Sequence, residues 1–482
     1  MTKAEGLVRL PEKCVPLVQP APAGVSPLQA FEWLRDEPYS FFLESALSAG
    51  RLGRFSFVGS RPFLVLRSRG NNVELLWEDG KRELVSGDPF EVLRGLLESY
   101  RMAGLADLPL AGGAVGYLAY DLCHFIERLP SLARDDMEMP EAYLGFYDAL
   151  IAFDHRLGRA YLVSTGLPEH EPEARSRRAK ARLAELMVRL QGPRPLPEQS
   201  ECAPAGAVRA GFTREGYVEA VERAREYIAA GDIFQVNLSQ RFDAPLPFPP
   251  HLLYQRLRDC NPAPFAAYLN FPDVQVVSAS PELFLRLTGD RVATRPMKGT
   301  RPRGATPERD RALGRELTGS VKDRAENVMI VDLMRNDIGR VCRFGTVRVP
   351  RLHTLEKYAT VWQLTSTVEG RLCPGRGAVD LLRATFPGGS VTGAPKVRAM
   401  EIIDALEPTR RGLYTGAVGY VSFHGDMELS MAIRSFVVRG GRAYFQVGGA
   451  VVYDSVAEAE YRETLDKARA LFLALGLEPP EG

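Results

Sequence analysis

An excess of charge of one sign is missing from this sequence: 61 lysines and arginines stand against 60 aspartates and glutamates in 482 residues, a formal net charge of +1. A general nucleic-acid binder needs surplus basic side chains on one face to neutralise phosphates, so that class is excluded and only a local basic patch remains open. Cysteine is scarce: six, at Cys14, Cys123, Cys202, Cys260, Cys342 and Cys373, with no Cys-x-x-Cys pair. Neither a zinc site nor a disulfide framework is implied, and a reducing cytoplasm is the expected location. No apolar run approaches the ~18 residues that cross a bilayer, and the start Met-Thr-Lys-Ala-Glu-Gly has no apolar signal core, so no membrane partner is expected. What remains, 45% hydrophobic and 25% charged residues, is the make-up of a soluble globular protein long enough to bury a large core.

Short apolar runs separated by turn signals at 39–43, 54–58, 63–66, 73–77 and 82–85 predict a β-meander. A helix over 90–100 and strands at 112–117 and 144–153 follow. The Arg-, Ala-, Glu- and Leu-rich stretch 171–190 suits a solvated helix, and the proline-rich 192–206 suits a linker or surface excursion. This places a boundary between an N-terminal region, 1–206, and a C-terminal region, 207–478, although the two can share one core. Thr213-Arg214-Glu215-Gly216 opens a helix that Gly231 stops. One echo stands out: Gly113-Ala114-Val115-Gly116-Tyr117 recurs as Gly416-Ala417-Val418-Gly419-Tyr420, through duplication or shared strand chemistry.

In the helix predicted over 455–475, Glu460, Glu463 and Lys467 share one face at i, i+3 and i+7. Alone they read as a solvated stripe. A second helix, 321–336, repeats the pattern with Asp323 and Glu326 at i, i+3. If the two acid pairs converge in a partly dry cleft, a divalent cation is their natural neutraliser, and Mg²⁺ suits sparse carboxylate ligation with sites left for a substrate anion. Lys298 lies in 294–304, a stretch so rich in Pro and Gly that it predicts irregular loop. It reads as a solvated charge, an anion contact or a nucleophile. As a nucleophile it must be neutral, and only on the order of 0.1% of an unperturbed lysine is free amine near neutral pH. Burial and a nearby cation push in that direction.

The segment 386–396, Phe-Pro-Gly-Gly-Ser-Val-Thr-Gly-Ala-Pro-Lys, is not a Walker loop, because Ala394-Pro395 separates Gly393 from Lys396. It is a tight turn, or a set of free N–H groups for a carboxylate or hydroxyl, before a helix over 396–406. In the strand predicted over 429–438, Arg434 interrupts an apolar face; an internal carboxylate or a bound anion must pair it, the anion being favoured. Gly448-Gly449-Ala450 adds N–H donors after the next strand.

Together these segments resemble the chorismate-utilising enzymes, a family that includes the large subunits of anthranilate synthase and aminodeoxychorismate synthase and the isochorismate and salicylate synthases. The resemblance spans roughly 213–477, more faintly 43–153. It is carried by Asp332-Leu333-Met334-Arg335-Asn336-Asp337-Ile338-Gly339-Arg340-Val341, by Gly393-Ala394-Pro395-Lys396 and by Glu458-Ala459-Glu460-Tyr461. Within the family, Pro296-Met297-Lys298-Gly299-Thr300, Gln235-Val236-Asn237-Leu238 and Asn261-Pro262-Ala263-Pro264-Phe265 look like the aminodeoxychorismate synthase branch, and anthranilate synthases typically have Ala at the place of Lys298. The resemblance implies an α+β fold of two large, mostly antiparallel sheets with flanking helices. It also implies Mg²⁺-dependent amination of chorismate at C4 through a lysine adduct at C2.

Carried over by residue, it makes Lys298 the nucleophile and Glu282 the general acid/base. Glu326 and Glu463 become metal ligands, with Asp323 and Glu460 near the ion through water. Arg434 and Tyr414 grip the enolpyruvyl carboxylate, while Ser390, Gly448, Gly449, Lys467 and Thr300 complete the chorismate pocket. Gln363 stands where the family often has His; it can hydrogen-bond but not titrate. No Gly-x-Cys-x-Gly nucleophile loop surrounds any cysteine, so ammonia must come from a separate glutamine amidotransferase subunit. A tryptophan site is implied near Ser45, in Leu43-Glu44-Ser45, and Pro264. The rivals are an anthranilate synthase large subunit, against which Lys298 argues, and a non-catalytic binder of chorismate or tryptophan, against which the acid pairs, Lys298 and Arg434 argue together.

Overall fold

A computed structural model describes residues 15–45, 53–105, 107–192, 206–358 and 361–479. Cys14, Cys202, the first residues of the chain and most of the 192–206 excursion lie outside the described residues. Two 12-stranded sheets dominate, and every pairing between their strands is antiparallel. The first runs from Leu17–Pro20 through Arg159–Ser164, Ala149–Asp154, Phe55–Gly59, Ser40–Glu44, Phe265–Asn270, Gln275–Ser280, Ser435–Arg439, Arg442–Val451 and Gln235–Pro245 to Arg209–Ala210, with Gly393–Ala394 also on Gln235–Pro245. The second runs from Met297–Pro302 through Val361–Arg371, Arg291–Arg295, Leu283–Thr288, Met427–Met431, Ala417–Ser422, Gly113–Leu118, Ala142–Tyr147, Leu64–Arg69 and Asn72–Trp77 to Arg82–Ser86. Arg348–Lys357 pairs with Val361–Arg371.

The layering follows from strand alternation. Phe41 joins a cluster between the sheets while Phe42 joins the cluster under the outer helices; Leu150 and Ala152 face inward while Ala149, Ile151 and Phe153 face outward. With both faces covered, these strands read as continuous apolar runs rather than alternating ones. The inner layer is aromatic, with Tyr143 and Phe271 at 4.3 Å and Phe41 and Tyr147 at 4.6 Å between ring centroids. Helices Pro27–Leu34, Pro172–Gln191, Arg214–Ala229, Pro250–Cys260, Lys396–Leu406 and Ala457–Ala474 cover the first sheet. Pro89–Ser99, Val321–Gly339 and Ala378–Thr385 cover the second.

The predicted meander is divided between the sheets: Ser40–Glu44 and Phe55–Gly59 belong to the first, and Leu64–Arg69, Asn72–Trp77 and Arg82–Ser86 to the second. Residues before and after 206 interleave in both, since Ser40–Glu44 pairs with Phe265–Asn270 and Gly113–Leu118 with Ala417–Ser422. The five-residue echo lies in that last pairing, where Gly116 faces Gly419 in register. A Cβ there would stand 2.0 Å from the Tyr143 carbonyl oxygen at Gly116 and 2.1 Å from that of Glu428 at Gly419, so neighbouring backbones exclude any side chain.

The stretch 294–304 departs from its reading as irregular loop. It contains the end of strand Arg291–Arg295 and the edge strand Met297–Pro302. Proline is tolerated because Pro296 falls between the strands and Pro302 ends the second, where no ladder N–H is needed. Gly299, with φ +78°, sits where the register shifts between Lys298 and Thr300, a bulge that re-aims the side chains beside it.

Candidate active site

Lys298 stands on this bulged edge strand, opposite Leu364 in register. Helix Val321–Gly339 packs on the strand; the Ser320 hydroxyl caps it by accepting the Asp323 N–H at 3.2 Å. The Lys298 ammonium is half-buried, and among the described residues it donates no hydrogen bond and has no carboxylate within 4 Å. Burial pushes its pKa down, the charge of Lys467 pushes the same way, and the more distant carboxylates of Glu326, Glu282 and Glu463 pull it back up.

Lys467 lies 2.7 Å from Glu463 Oε1 and donates to the Gly448 carbonyl at 2.9 Å. Glu460 accepts from the Ser455 hydroxyl at 2.7 Å through Oε1, while its buried Oε2 has no partner among the described residues. A Cβ on Gly449 would be 3.1 Å from that Oε2 and 3.8 Å from Glu463 Oε1, so both carboxylates of helix Ala457–Ala474 reach the strand at this glycine. Burial raises the pKa of Glu326 and Glu460, whereas Lys467 pulls that of Glu463 down. Among the described residues no three acidic, histidine or cysteine groups converge tightly enough to hold a metal ion as they stand. The orphaned Glu460 oxygen and the mutual repulsion of Glu326, Glu460 and Glu463 nevertheless fit a hard cation with oxygen ligands. Asp323 is committed elsewhere: Arg301 reaches its Oδ2 at 3.1 Å while also holding Glu316 at 2.7 Å.

Glu282 occupies the crossing from strand Gln275–Ser280 of the first sheet to Leu283–Thr288 of the second, and is 5% exposed. Ser390 donates to its Oε1 at 2.6 Å. Burial pushes the Glu282 pKa up to about 7, against the lowering effects of Ser390, the Lys298 charge and the Met297 N–H. A carboxyl poised there exchanges protons near neutral pH.

Arg434 sits in left-handed backbone, φ +52°, at the start of strand Ser435–Arg439. The one hydrogen bond of its side chain among the described residues is a 3.5 Å contact to Asn261 Oδ1, and no carboxylate there lies within 4 Å. Burial lowers its pKa, which Tyr358 partly offsets. Of the two readings, an internal carboxylate or a bound anion, the first is absent among the described residues. The Tyr414 hydroxyl lies against Gly448, where a Cβ would be 3.0 Å away, and burial pushes its pKa up to about 12 despite the charge of Arg411. Thr300 is exposed, as are Lys467 and Glu463; its register partner Gln363 is buried, with Oε1 unpartnered among the described residues.

Two supporting pairs escaped the sequence reading. Lys396 is paired with Asp337 and donates to the carbonyls of Thr385 at 3.0 Å and Pro387 at 2.9 Å. It thus ties the turn 386–396 to helix Val321–Gly339 and is a clamp rather than an anion contact. Arg411 and Glu407 form an ion pair with side chains only 1% and 2% exposed. The available signal was two opposite charges at i, i+4 immediately after an apolar helix.

Ser45 and Pro264 do come together, lining a cavity of about 370 Å³ with Leu43, Phe265 and Tyr420, floored by the Arg286–Glu428 ion pair. It lies between the sheets, and neither Lys298 nor any of the acid pairs lines it. Its volume falls in the ~300–1,000 Å³ range of small-molecule sites.

Residues 59–473 match the chorismate binding enzyme family. The chain is 40% identical over 458 residues to aminodeoxychorismate synthase component 1 of Bacillus subtilis strain 168, covering 94% of this chain and 95% of that one. It is 44% identical over 454 residues to anthranilate synthase component 1 of Thermus thermophilus, covering 93% and 95%. Among solved structures, anthranilate synthase component I from Streptococcus pneumoniae TIGR4 superposes with a TM-score of 0.78 at 34% identity, covering 86% of this chain and 91% of that one. The menaquinone-specific isochorismate synthase of Escherichia coli shares the fold, with a TM-score of 0.72 at 20% identity, covering 97% and 96%. No helix among the described residues is long and apolar enough to cross a membrane. With 415 consecutive residues matched and relatives aligned over nearly their whole length, this chain belongs to the chorismate-binding enzyme family.

Proposed function

We propose that this chain aminates chorismate at C4 with ammonia, yielding 4-amino-4-deoxychorismate for 4-aminobenzoate and folate synthesis in the cytoplasm. The observation that carries this reading is Lys298: a half-buried amine, with its pKa lowered and no bonding partner among the described residues, on the strand next to Glu282. The neutral amine adds to C2 of the ring, both ring double bonds shift, and the C4 hydroxyl leaves as water with the proton that Glu282 donates; the adduct nitrogen then returns a proton to the Glu282 carboxylate. Ammonia adds at C4 and loses a proton, both double bonds shift back, and the C2–N bond breaks as a proton passes to the leaving Lys298 amine. Direct attack by ammonia at C2 leads instead towards anthranilate, so occupying C2 with an enzyme amine redirects the external nitrogen.

Arg434 and Tyr414 hold the enolpyruvyl carboxylate in this reading, and Ser390 keeps the Glu282 carboxyl in place. Glu326 and Glu463, with Glu460 beside them, would hold Mg²⁺, which when bound supplies positive charge for the ring carboxylate. A separate glutamine amidotransferase subunit supplies ammonia, replaced in vitro by ammonium. The cavity at Ser45 and Pro264 is the tryptophan site.

A second reading, the large subunit of anthranilate synthase, is favoured by the 44% identity to the Thermus thermophilus protein against 40% to the Bacillus subtilis one. Product analysis separates them. Purified chain, chorismate, Mg²⁺ and ammonium should give an amine that retains the enolpyruvyl group and is converted to 4-aminobenzoate by an added aminodeoxychorismate lyase. Fluorescent anthranilate formed without lyase would establish the second reading.

A further inference from the structure

Arg411 has five N–H donors, and all five are used in the dry interior. Nε and Nη2 meet Glu407 at 2.9 and 2.7 Å, Nη2 also reaches the Asn237 carbonyl at 2.6 Å, and Nη1 reaches the Val391 carbonyl at 2.9 Å and the Thr415 hydroxyl at 3.3 Å. Glu407 Oε1 in turn accepts from the Ser239 N–H at 2.9 Å and hydroxyl at 2.7 Å. The three acceptors other than Glu407 each neighbour a pocket residue. Val391 follows Ser390, the partner of Glu282. Asn237 and Ser239 lie on the strand paired with Gly448 and Gly449. Thr415, in left-handed backbone at φ +62°, follows Tyr414, whose ring lies 5.6 Å from the guanidinium carbon.

Three chain segments are therefore fixed to one planar cation. Its charge is balanced by Glu407, not by ligand. We propose that Arg411, held by Glu407, is a positioning residue for the chorismate pocket, setting the spacing between Ser390, Tyr414 and the Gly448–Gly449 strand. The guanidinium geometry is essential: an ammonium at the end of a lysine keeps the charge but cannot span three directions in one plane. The proposal rests on the chorismate reading of the site but not on which amine the chain makes.

The test compares Arg411→Lys and Thr415→Val with the parent chain in steady-state assays with chorismate, Mg²⁺ and ammonium. Thr415→Val removes one acceptor without leaving a charge unpaired, so it reports even if the lysine variant does not fold. Both variants should raise the chorismate KM, Arg411→Lys by about tenfold or more, with the ammonium KM unchanged. A purely structural role would lower the folded fraction, and so the apparent kcat, while leaving both KM values alone. Folded variants with the parent chorismate KM within about twofold overturn the proposal. A parent chain that neither binds nor turns over chorismate would instead overturn the reading of the site, an outcome visible before any variant is made.

Discussion

Lys298 and Glu282 must hold protons in opposite senses for the proposed chemistry: the amine has to lose one before attack, and the carboxyl has to keep one to release hydroxide. Burial serves both, since it disfavours each charged form, lowering the lysine pKa and pushing that of Glu282 up to about 7. A donor with that pKa is competent below about 7 and is lost as pH rises through it. The high-pH limb of kcat should therefore fall near 7, and Glu282→Gln should remove the limb together with ~10²–10⁴ of the rate; a retained limb would assign it to another group. Lys298→Ala should abolish the C4 amine and leave at most slow addition at C2, read by mass detection. Undiminished C4 product would exclude the covalent route. Glu326→Gln should raise the Mg²⁺ concentration for half-maximal rate by about tenfold or more, and an unchanged metal titration would remove Glu326 from the ligand set. These residue types were legible in the sequence because acids at i, i+3 on a helix share a face wherever the helix lies. The exposure of Thr300 and the capture of Asp323 by Arg301 were not, because they depend on a bulge and a neighbouring strand.

Helix Val321–Gly339 and the turn before helix Lys396–Leu406 form the site only when held together. Lys396 and Asp337 connect them, and each belongs to a motif that identified the family. The conspicuous charge in Gly-Ala-Pro-Lys therefore serves packing. Lys396→Met leaves the Asp337 carboxylate buried without its cation, a change that typically costs ~3–5 kcal/mol. The melting temperature should fall, and Lys396→Met combined with Asp337→Leu should recover most of the loss. Equal melting of the single variant and the parent would show that the pair is not a clamp. The edge strand Met297–Pro302 shows the limit of local reading, since a Pro- and Gly-rich stretch predicts loop until an adjacent strand offers it a ladder.

At the scale of the whole molecule, the interleaving of strands from before and after residue 206 makes the C-terminal region dependent on the rest. A chain limited to residues 207–482 would expose the edges of Phe265–Asn270 and Ala417–Ser422, where Ser40–Glu44 and Gly113–Leu118 pair in the intact protein. Such a fragment should lack a cooperative thermal transition and the near-ultraviolet dichroism of a packed aromatic core; the presence of both would show that it folds alone. The sequence by itself determined the family, because the motifs that carry the resemblance are made of neighbouring residues, and through that resemblance it implied the fold class and the chemical types proposed for the site. Only the tertiary structure decided that two sheets share both halves of the chain, that among the described residues Lys298 stands on a bulged strand without a partner and no carboxylate answers Arg434, and that Arg411 joins three distant segments. Each of those depends on residues far apart in the chain meeting in a low-dielectric interior, where every unpaired charge and unsatisfied donor must be accounted for.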